Sequence, residues 1–577
     1  MGQDSIINQK IKPLIKKSNA ENSYKIQKKL GIDPLSARLF SARGFQPDDN
    51  LIAFLHPRLG DLPQPDTMAD YHRTIKRIVE AIANKETIAV YGDYDVDGIG
   101  SVAIFKLFLD HLNIPNLPLI SERSDGYGFD KTKIDHFSEH KVDLIIVCDV
   151  GSTEYEAVNY ARDKSIDLII IDHHQIKHPW PQAYSIINPQ RYDCKYEFKT
   201  MASVGLVFHI VAGVKSKLEV DGYYKSQALP DPKKYLDIVA LGTLADVSPL
   251  KGINRILVKY GLKLLKNNQR KSIKVLKNIS RINQKNPFNE RTVIFKLIPR
   301  LNAAGRMNQA FLAMELLTST KTKKSLQVAE ELNELNTKRQ EEQKTIYKEA
   351  VKQAEASLNY RWSIVVSGEN WNLGIVGIVA AKLVEKFKRP AVVIGFKGKK
   401  GRGSIRTWRN IDIYNPLSRC QDLLITFGGH SGAAGLEIET ANIRKFAKKF
   451  DQELEQNKPD NVDVLEVAVD AEISLPELTP TFMEELKLFA PFGNHNPEPV
   501  FLTRKLEVVS MRYPAQKHIS LYLKDRRTRK TIRAIGFNMF SQRNKIKQYV
   551  DIIYTPEIDY YRGGDAVQLK LHHIIPA

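Results

Sequence analysis

From residue 87 the chain alternates short apolar runs with amphipathic segments. Three of the runs, TIAVYGD, VDLIIVCD and IDLIIID, have the length and Ile/Val content of strands. Each ends on an aspartate: Asp93, Asp149 and Asp172. Between them lie stretches of helical length and periodicity, such as SVAIFKLFLDHL and TEYEAVNYARDK. This alternation predicts a parallel α/β sheet with crossover helices over residues 81–270, after a lead-in of mixed helical pattern and Pro/Gly-rich loop over 1–80. The helical or mixed segment YLDIVALGTLADVSPL belongs to the same unit and brings Asp246.

Residues 271–358 read as a connecting region. Its second half, 321–358, lacks Gly and Pro and spaces Leu326, Ala329, Leu332 and Leu335 as a helix does, which predicts one long helix. A smaller α/β unit follows over 359–458: WSIVVSG as strand, GIVGIVAAKLVEKF as helix, PAVVIGF as strand. Over 459–577 the pattern turns to five short strands, VFLTRKLEVVSM, KHISLYL, TIRAIGF, YVDIIYT and AVQLKLHHI, which predict a small barrel of OB type. No internal repeat or long low-complexity tract is present.

Composition narrows the classes. With 577 residues, 42% of them apolar and 26% charged, the chain is expected to form several globular domains. No apolar run reaches the roughly 18 residues that a membrane span needs, and the first residues lack the layout of a secretory signal. Three widely spaced cysteines, Cys148, Cys194 and Cys420, argue against a disulfide framework and a Cys-based zinc site, so a cytoplasmic location with no membrane partner is expected. The formal charge of +20 is compatible with a polyanion partner or with a basic surface tuned for solubility, and by itself does not choose.

The candidate chemistry lies at the strand ends. In YGDYDVDG, Asp93, Asp95 and Asp97 alternate just beyond the first strand; a polar turn would explain them singly, but three repelling carboxylates together call for a cation. Open α/β sheets place their ligand crevice at the carboxyl ends of strands, where Asp149 and Asp172 also arrive, the latter followed by His173 and His174. Oxygen donors with a few imidazoles suit Mn²⁺ or Mg²⁺ better than Zn²⁺. No Ser/His/Asp or Cys/His arrangement competes as a covalent nucleophile.

Asp172-His173-His174 downstream of the Asp-x-Asp-x-Asp turn, with Asp149 in VCDVGS and Asp246 in GTLADVSPL, resembles the DHH phosphoesterase superfamily. The resemblance implies two Mn²⁺ or Mg²⁺ ions held by Asp95, Asp97, Asp149, His173 and Asp246, with Asp149 bridging. Asp93 is then either a ligand or orients one. Asp172 supports the histidines, and His174 faces the phosphate as a donor to the transition state or leaving oxygen.

Within the superfamily the chain is similar to the RecJ family, through SARGFQPDDNLIAFLHPRLGDLPQP, SERSDGYGF, KLIPRLNAAGRM and APFGNHNPEPVF. The glycine-rich GGHSGAAG, with Gly429 and His430, resembles the signature of the DHH-associated domain. The resemblance implies a pocket for a 5′-phosphate end formed by Arg123, Arg306, Ser404 and Arg406. It also implies a 5′-to-3′ exonuclease releasing mononucleotides from single-stranded DNA in recombination and repair, working beside a helicase and a single-strand-binding protein. Asn372, Ile405 and Ile298 depart from the family's usual His, Gly and Gly; none is a metal ligand in the pattern. In the barrel, KDRRTRK and the aromatics Tyr522, Phe537, Tyr560 and Tyr561 are either a strand-binding surface or strand core with a solvated hairpin. A hydrolase of short oligonucleotides or cyclic dinucleotides, and a non-catalytic DNA-binding protein, are the competing readings.

Overall fold

The continuous apolar runs become strands buried on both faces, as a parallel sheet sandwiched by helices requires. The computed structural model describes residues 10–123, 128–223, 228–282, 287–357, 362–409, 411–457, 464–559 and 566–577. In the first unit, five parallel strands lie in the spatial order Asn116–Ile120, Ile88–Gly92, Leu144–Cys148, Asp167–Ile171, Ser185–Ile187. The helices Tyr71–Asn84, Val96–His111, Ser203–Val220 and Leu236–Ala245 cover one face, and Lys131–Glu139 and Tyr155–Asp163 the other. Val96–His111 carries no single apolar stripe because residues 96–105 are buried on every side, and only its last turns, with Lys106, Asp110 and His111, reach solvent. The strand register aligns Gly92 with Cys148 and Cys148 with Ile171. Asp93, Asp149 and Asp172 therefore leave the sheet in one row, with neighbouring strands about 4.8 Å apart.

The long helix runs from Thr322 to Ala356. Its buried stripe is Val328, Ala329, Leu332, Asn336, Gln343, Ile346, Ala350 and Ala354, whereas Leu326 points to solvent. The first half packs on the parallel-sheet domain and the last turns on the second lobe. That lobe is a five-stranded sheet in the order Leu424–His430, Ala433–Glu439, Lys400–Arg406, Ala391–Lys397, Ile364–Glu369, with helices Leu373–Phe387 and Ile443–Gln456. Only the last pair of strands is parallel.

At the C-terminus, Phe501–Arg512 pairs with both Ile519–Lys524 and Tyr549–Ile558, and Thr531–Gly536 and Val567–Pro576 complete a closed five-stranded barrel. Its core is shared with the N-terminal helices: Ile26, Leu39, Phe40 and Leu51 pack with Phe489, Phe501 and Leu521. Strand Lys10–Ile15 runs parallel to Val464–Val469 in a separate two-stranded sheet, and Ile11 packs against the cluster of Val469, Leu502 and Ile553, so this segment also rests on the outside of the barrel. Among the described residues no helix is long and apolar enough to cross a membrane.

Candidate active site

Each acid of the site is placed by a different local device. Asp93 follows its strand directly and accepts from Ser121 Oγ at 2.9 Å. Asp95 is the N-cap of helix Val96–His111, its Oδ1 accepting from the backbone N–H of Asp97 (2.8 Å) and Gly98 (3.3 Å). The turn is so tight that a Cβ at Gly98 would lie 2.5 Å from the Asp93 carbonyl. Asp97, in the first turn of that helix, accepts from Ser203 N and Val204 N, both at 2.8 Å. It thereby caps helix Ser203–Val220, whose own N-cap residue, Ala202, has no side chain able to do so.

Asp149 sits at φ +65°, a left-handed conformation that aspartate tolerates better than most residues. Its backbone N–H bonds to Ile171 O and its carboxylate accepts from Ser203 Oγ at 3.1 Å. Asp246 ends helix Leu236–Ala245 and accepts from Ser248 Oγ. His173 Nε2 lies 3.2 Å from Asp149 Oδ1 and 3.8 Å from both Asp97 Oδ2 and Asp246 Oδ1. Asp172 stands behind the histidines, accepting from His173 N, His174 N and His174 Nδ1, the last at 2.7 Å.

The electrostatics match a site meant for cations. Burial pushes the Asp97, Asp149 and Asp246 carboxyls up, and repulsion from neighbouring acids adds to the effect; Asp93 is pushed up to about 7 by burial and Asp95. Burial pulls His173 down, favouring the neutral imidazole that ligates metals. Burial also opposes the charged forms of Asp172 and His174, but their mutual hydrogen bond outweighs it. Asp172 is held below the usual carboxylate range and His174 is raised to about 9.

The donor set fits divalent cations. His173 Nε2 is buried with no hydrogen-bond partner among the described residues, facing three carboxylates. Ligand atoms of Asp97, His173 and Asp246 lie within 4.8 Å of one another, as do those of Asp93, Asp95 and Asp149, and those of Asp149, His173 and His174.

A second cluster, of guanidiniums, lies beside the acids. Arg306 closes helix Ile298–Arg306 and donates to Gly374 O at 2.8 Å. Burial lowers its pKa to about 10, aided by repulsion from Arg123 and Arg339. Arg406 donates to Ser404 Oγ (2.9 Å) and is lowered by burial and by Arg123. Arg123 stacks on Tyr94, its guanidinium 4.2 Å from the ring centre, and its Nε is buried without a hydrogen-bond partner among the described residues. Buried like charges held this close suit a bound polyanion.

His430 pairs with Ala433 and Ala433 with Arg406, so His430, Arg406 and Ser404 share one sheet face; His430 itself is exposed. Gly429, at φ +138°, abuts the Ala433–Ala434 backbone. Asn372 caps helix Leu373–Phe387 through Gly374 N (2.8 Å) and donates to Glu342 at 3.0 Å.

Two residues escaped the sequence reading. Asn302 Oδ1 accepts from Val96 N at 3.2 Å, joining the arginine helix to the acidic turn. The join is close: a Cβ at Gly305 would lie 2.1 Å from Tyr94 O. Arg339 is held by Asn336 and Gln343, both at 3.0 Å, with its Nε buried and unpartnered among the described residues. A signal for it existed, because Asn336 and Gln343 interrupt an otherwise apolar stripe on the long helix.

In the barrel, Arg526, Arg527 and Arg529 are exposed and Arg526 lies 5.2 Å from the Tyr549 ring centre. Lys530 is instead tied to the Leu475 and Leu478 carbonyls. Phe537 is exposed and Tyr522 half-buried, while Tyr560 and Tyr561 lie outside the described residues.

A parallel sheet with aspartates in a row at its carboxyl edge, a histidine pair after the fourth strand in sequence, and a second lobe reached by a long helix together define a protein of the DHH superfamily. Sequence profiles agree: the DHH family N-terminal domain matches residues 87–243, the DHHA1 domain 360–456 and the RecJ OB domain 469–573. The single-stranded-DNA-specific exonuclease RecJ of Bacillus subtilis is 32% identical over 528 residues, 91% of this chain and 65% of that protein. The Escherichia coli protein of the same name is 29% identical over 94% of this chain and 96% of its own length. The crystal structure of RecJ with Mn²⁺ from Thermus thermophilus superposes with a TM-score of 0.83 at 25% identity, covering 98% of this chain and 79% of that one. The chain is similar to RecJ proteins along nearly its whole length. It spans just under two thirds of the Bacillus protein and nearly all of the Escherichia one.

Proposed function

We propose that this chain is a two-metal-dependent exonuclease that removes 5′-mononucleotides from the 5′ end of single-stranded DNA. The observation that carries the reading is one helix, Ile298–Arg306, that touches both clusters. Asn302 meets the acidic turn, and Arg306, about one helical turn further on, stands among the guanidiniums. A cationic pocket at a set distance from the acids fixes the terminal phosphate relative to the bond that is cut.

Asp97, His173 and Asp246 would hold one ion, and Asp95 and Asp149 the other, with Asp93 as a further ligand or as the group that orients one. Asp149 is within reach of both. Bound there, Mn²⁺ or Mg²⁺ supplies an activated water and neutralises charge on the phosphoryl and leaving oxygens. The chain's own residues do the rest. His174, oriented by its hydrogen bond to Asp172, which also favours its charged form, would donate a proton toward the departing oxygen. Arg123, Arg306 and Arg406, with Ser404, grip the 5′-phosphate, and Gly429 and His430 line the approach.

The single strand follows from the +20 charge, the exposed barrel arginines and the likeness to proteins named as single-strand-specific exonucleases. On the same reading the protein works in the cytoplasm, in recombination and repair, beside a helicase and a single-strand-binding protein.

Strands labelled at either end and incubated with Mn²⁺, Mg²⁺ or a chelator test this directly. The 5′ label should appear at once as mononucleotide, the 3′ label should persist on a shrinking ladder, and the chelator should stop both. Loss from the 3′ end first, or turnover of dinucleotides with long strands untouched, would overturn it.

Asn302 gives a finer test. Asn302→Leu keeps the branched shape of the side chain but removes the acceptor for Val96 N, and is expected to weaken Mn²⁺ binding roughly tenfold, read by calorimetry without substrate. Asn302→Asp, which keeps an accepting oxygen, should recover most of that loss. Equal metal affinity in all three proteins would mean that the turn stands without Asn302.

A further inference from the structure

Glu290–Thr292, the π-helical turn Val293–Leu297 and helix Ile298–Arg306 form one continuous helical run. Val293, Leu297 and Leu301 bury one side of it in the core of the parallel-sheet domain. Phe295, Pro299, Asn302 and Arg306 follow at i, i+4, i+7 and i+11, the spacing of a single helical face. Two of the four have assigned neighbours: Asn302 the acidic turn, Arg306 the guanidinium cluster.

The other end of the run is also anchored. Four residues before Phe295, Arg291 pairs with Glu557 at 3.0 Å and Glu498 at 3.4 Å, both on the barrel side. At 1.5 Å per residue, and less through the π-helical turn, the face extends about 20 Å from the barrel to the arginine cluster. Phe295 lies between them with 70% of its surface exposed, beside the exposed Lys296. A lone exposed phenylalanine needs no explanation on most surfaces. This one stands on the line that joins the barrel to the cutting centre, in a π-helical turn of the kind that recurs at functional sites.

We propose that Phe295 is a stacking platform for a base of the single strand as it passes from the barrel to the acidic cluster. Any base offers a π-face, so the contact adds affinity without sequence preference, which suits an enzyme that must accept every nucleotide. The inference rests on the exonuclease reading above. It adds a strand contact upstream of the metal site that neither the metal residues nor the end pocket supplies.

The test uses the full chain carrying Asp149→Asn, so that the strand survives, and compares Phe295 with Phe295→Ala and Phe295→Trp. The probes are a 5′-phosphorylated strand of about 20 nucleotides and an abasic strand of the same length. Phe295→Ala is expected to weaken binding of the base-bearing strand roughly five- to a hundredfold, Phe295→Trp to restore it with quenching of the new indole, and the abasic strand to bind all three alike. Base-bearing strand affinity within twofold across the three proteins, or the same loss on the abasic strand, would overturn the platform while leaving the nuclease reading intact. If the parent protein binds and degrades no single strand, that reading fails and the platform falls with it.

Discussion

Asp149→Asn is expected to cut turnover of single-stranded DNA by at least about a thousandfold, equivalent to about 4 kcal/mol of transition-state stabilisation. Asparagine is the informative substitute because it tolerates φ +65° and can still accept from Ser203 Oγ, so backbone and packing should persist. What disappears is the charge within reach of both proposed ion positions.

The same variant carries a sign test in stability. Burial, with repulsion from Asp97, Asp95, Asp93 and Asp172, holds the Asp149 carboxyl well above its unfolded value. At neutral pH the metal-free fold therefore carries a penalty that the unfolded chain does not, and the penalty fades as pH falls toward the ordinary carboxylate range. Without metal, Asp149→Asn should unfold at the same temperature as the parent or higher. With Mn²⁺ the order should reverse, since the parent gains stability from the bound ion and the variant gains little. A variant that keeps activity within tenfold of the parent, or a parent that Mn²⁺ fails to stabilise, would remove Asp149 from the metal centre.

Arg306→Ala is the second large effect. Hydrogen bonds between charged groups contribute about 1.5–3 kcal/mol each, so removing this guanidinium should raise KM for a 5′-phosphorylated strand by roughly ten- to a hundredfold. The preference for a 5′-phosphate over a 5′-hydroxyl should largely vanish. Arg306→Lys should recover little, because a lysine cannot make the paired, planar contact and cannot reach Gly374 O in the same geometry. The fold should survive, as relief of repulsion from Arg123 and Arg339 offsets the lost backbone hydrogen bond. An unchanged 5′-phosphate preference would show that the end of the strand is held elsewhere.

Much of this architecture was legible in the chain. The strands carrying Asp93, Asp149 and Asp172 were visible because uninterrupted apolar, Ile/Val-rich runs of four or five residues suit strands buried on both faces. The long helix was visible as a stretch without Gly or Pro, although its stripe lies on Val328, Ala329 and Leu332, with Leu326 exposed. Less legible were residues whose role depends on distant partners. Nothing local marks Asn302 as the companion of Val96, the polar Asn336 and Gln343 hint at Arg339 without placing it beside Arg306, and Phe295 reads as one more apolar helix residue until its face is known.

The acidic site shows the division most plainly. The sequence by itself determined that aspartates would stand at the carboxyl ends of successive strands with a histidine pair beside them, because strand length and period are local properties and a parallel register aligns strand ends. Only the tertiary structure decided how those acids are held. Asp97 caps a helix that begins more than a hundred residues later, His173 Nε2 stands within 3.8 Å of three carboxylates, and one helix ties the acidic turn to the arginines. The barrel's core likewise closes only when the N-terminal helices, over 400 residues away, pack into it. Such contacts depend on which buried faces meet, and no neighbour along the chain encodes that.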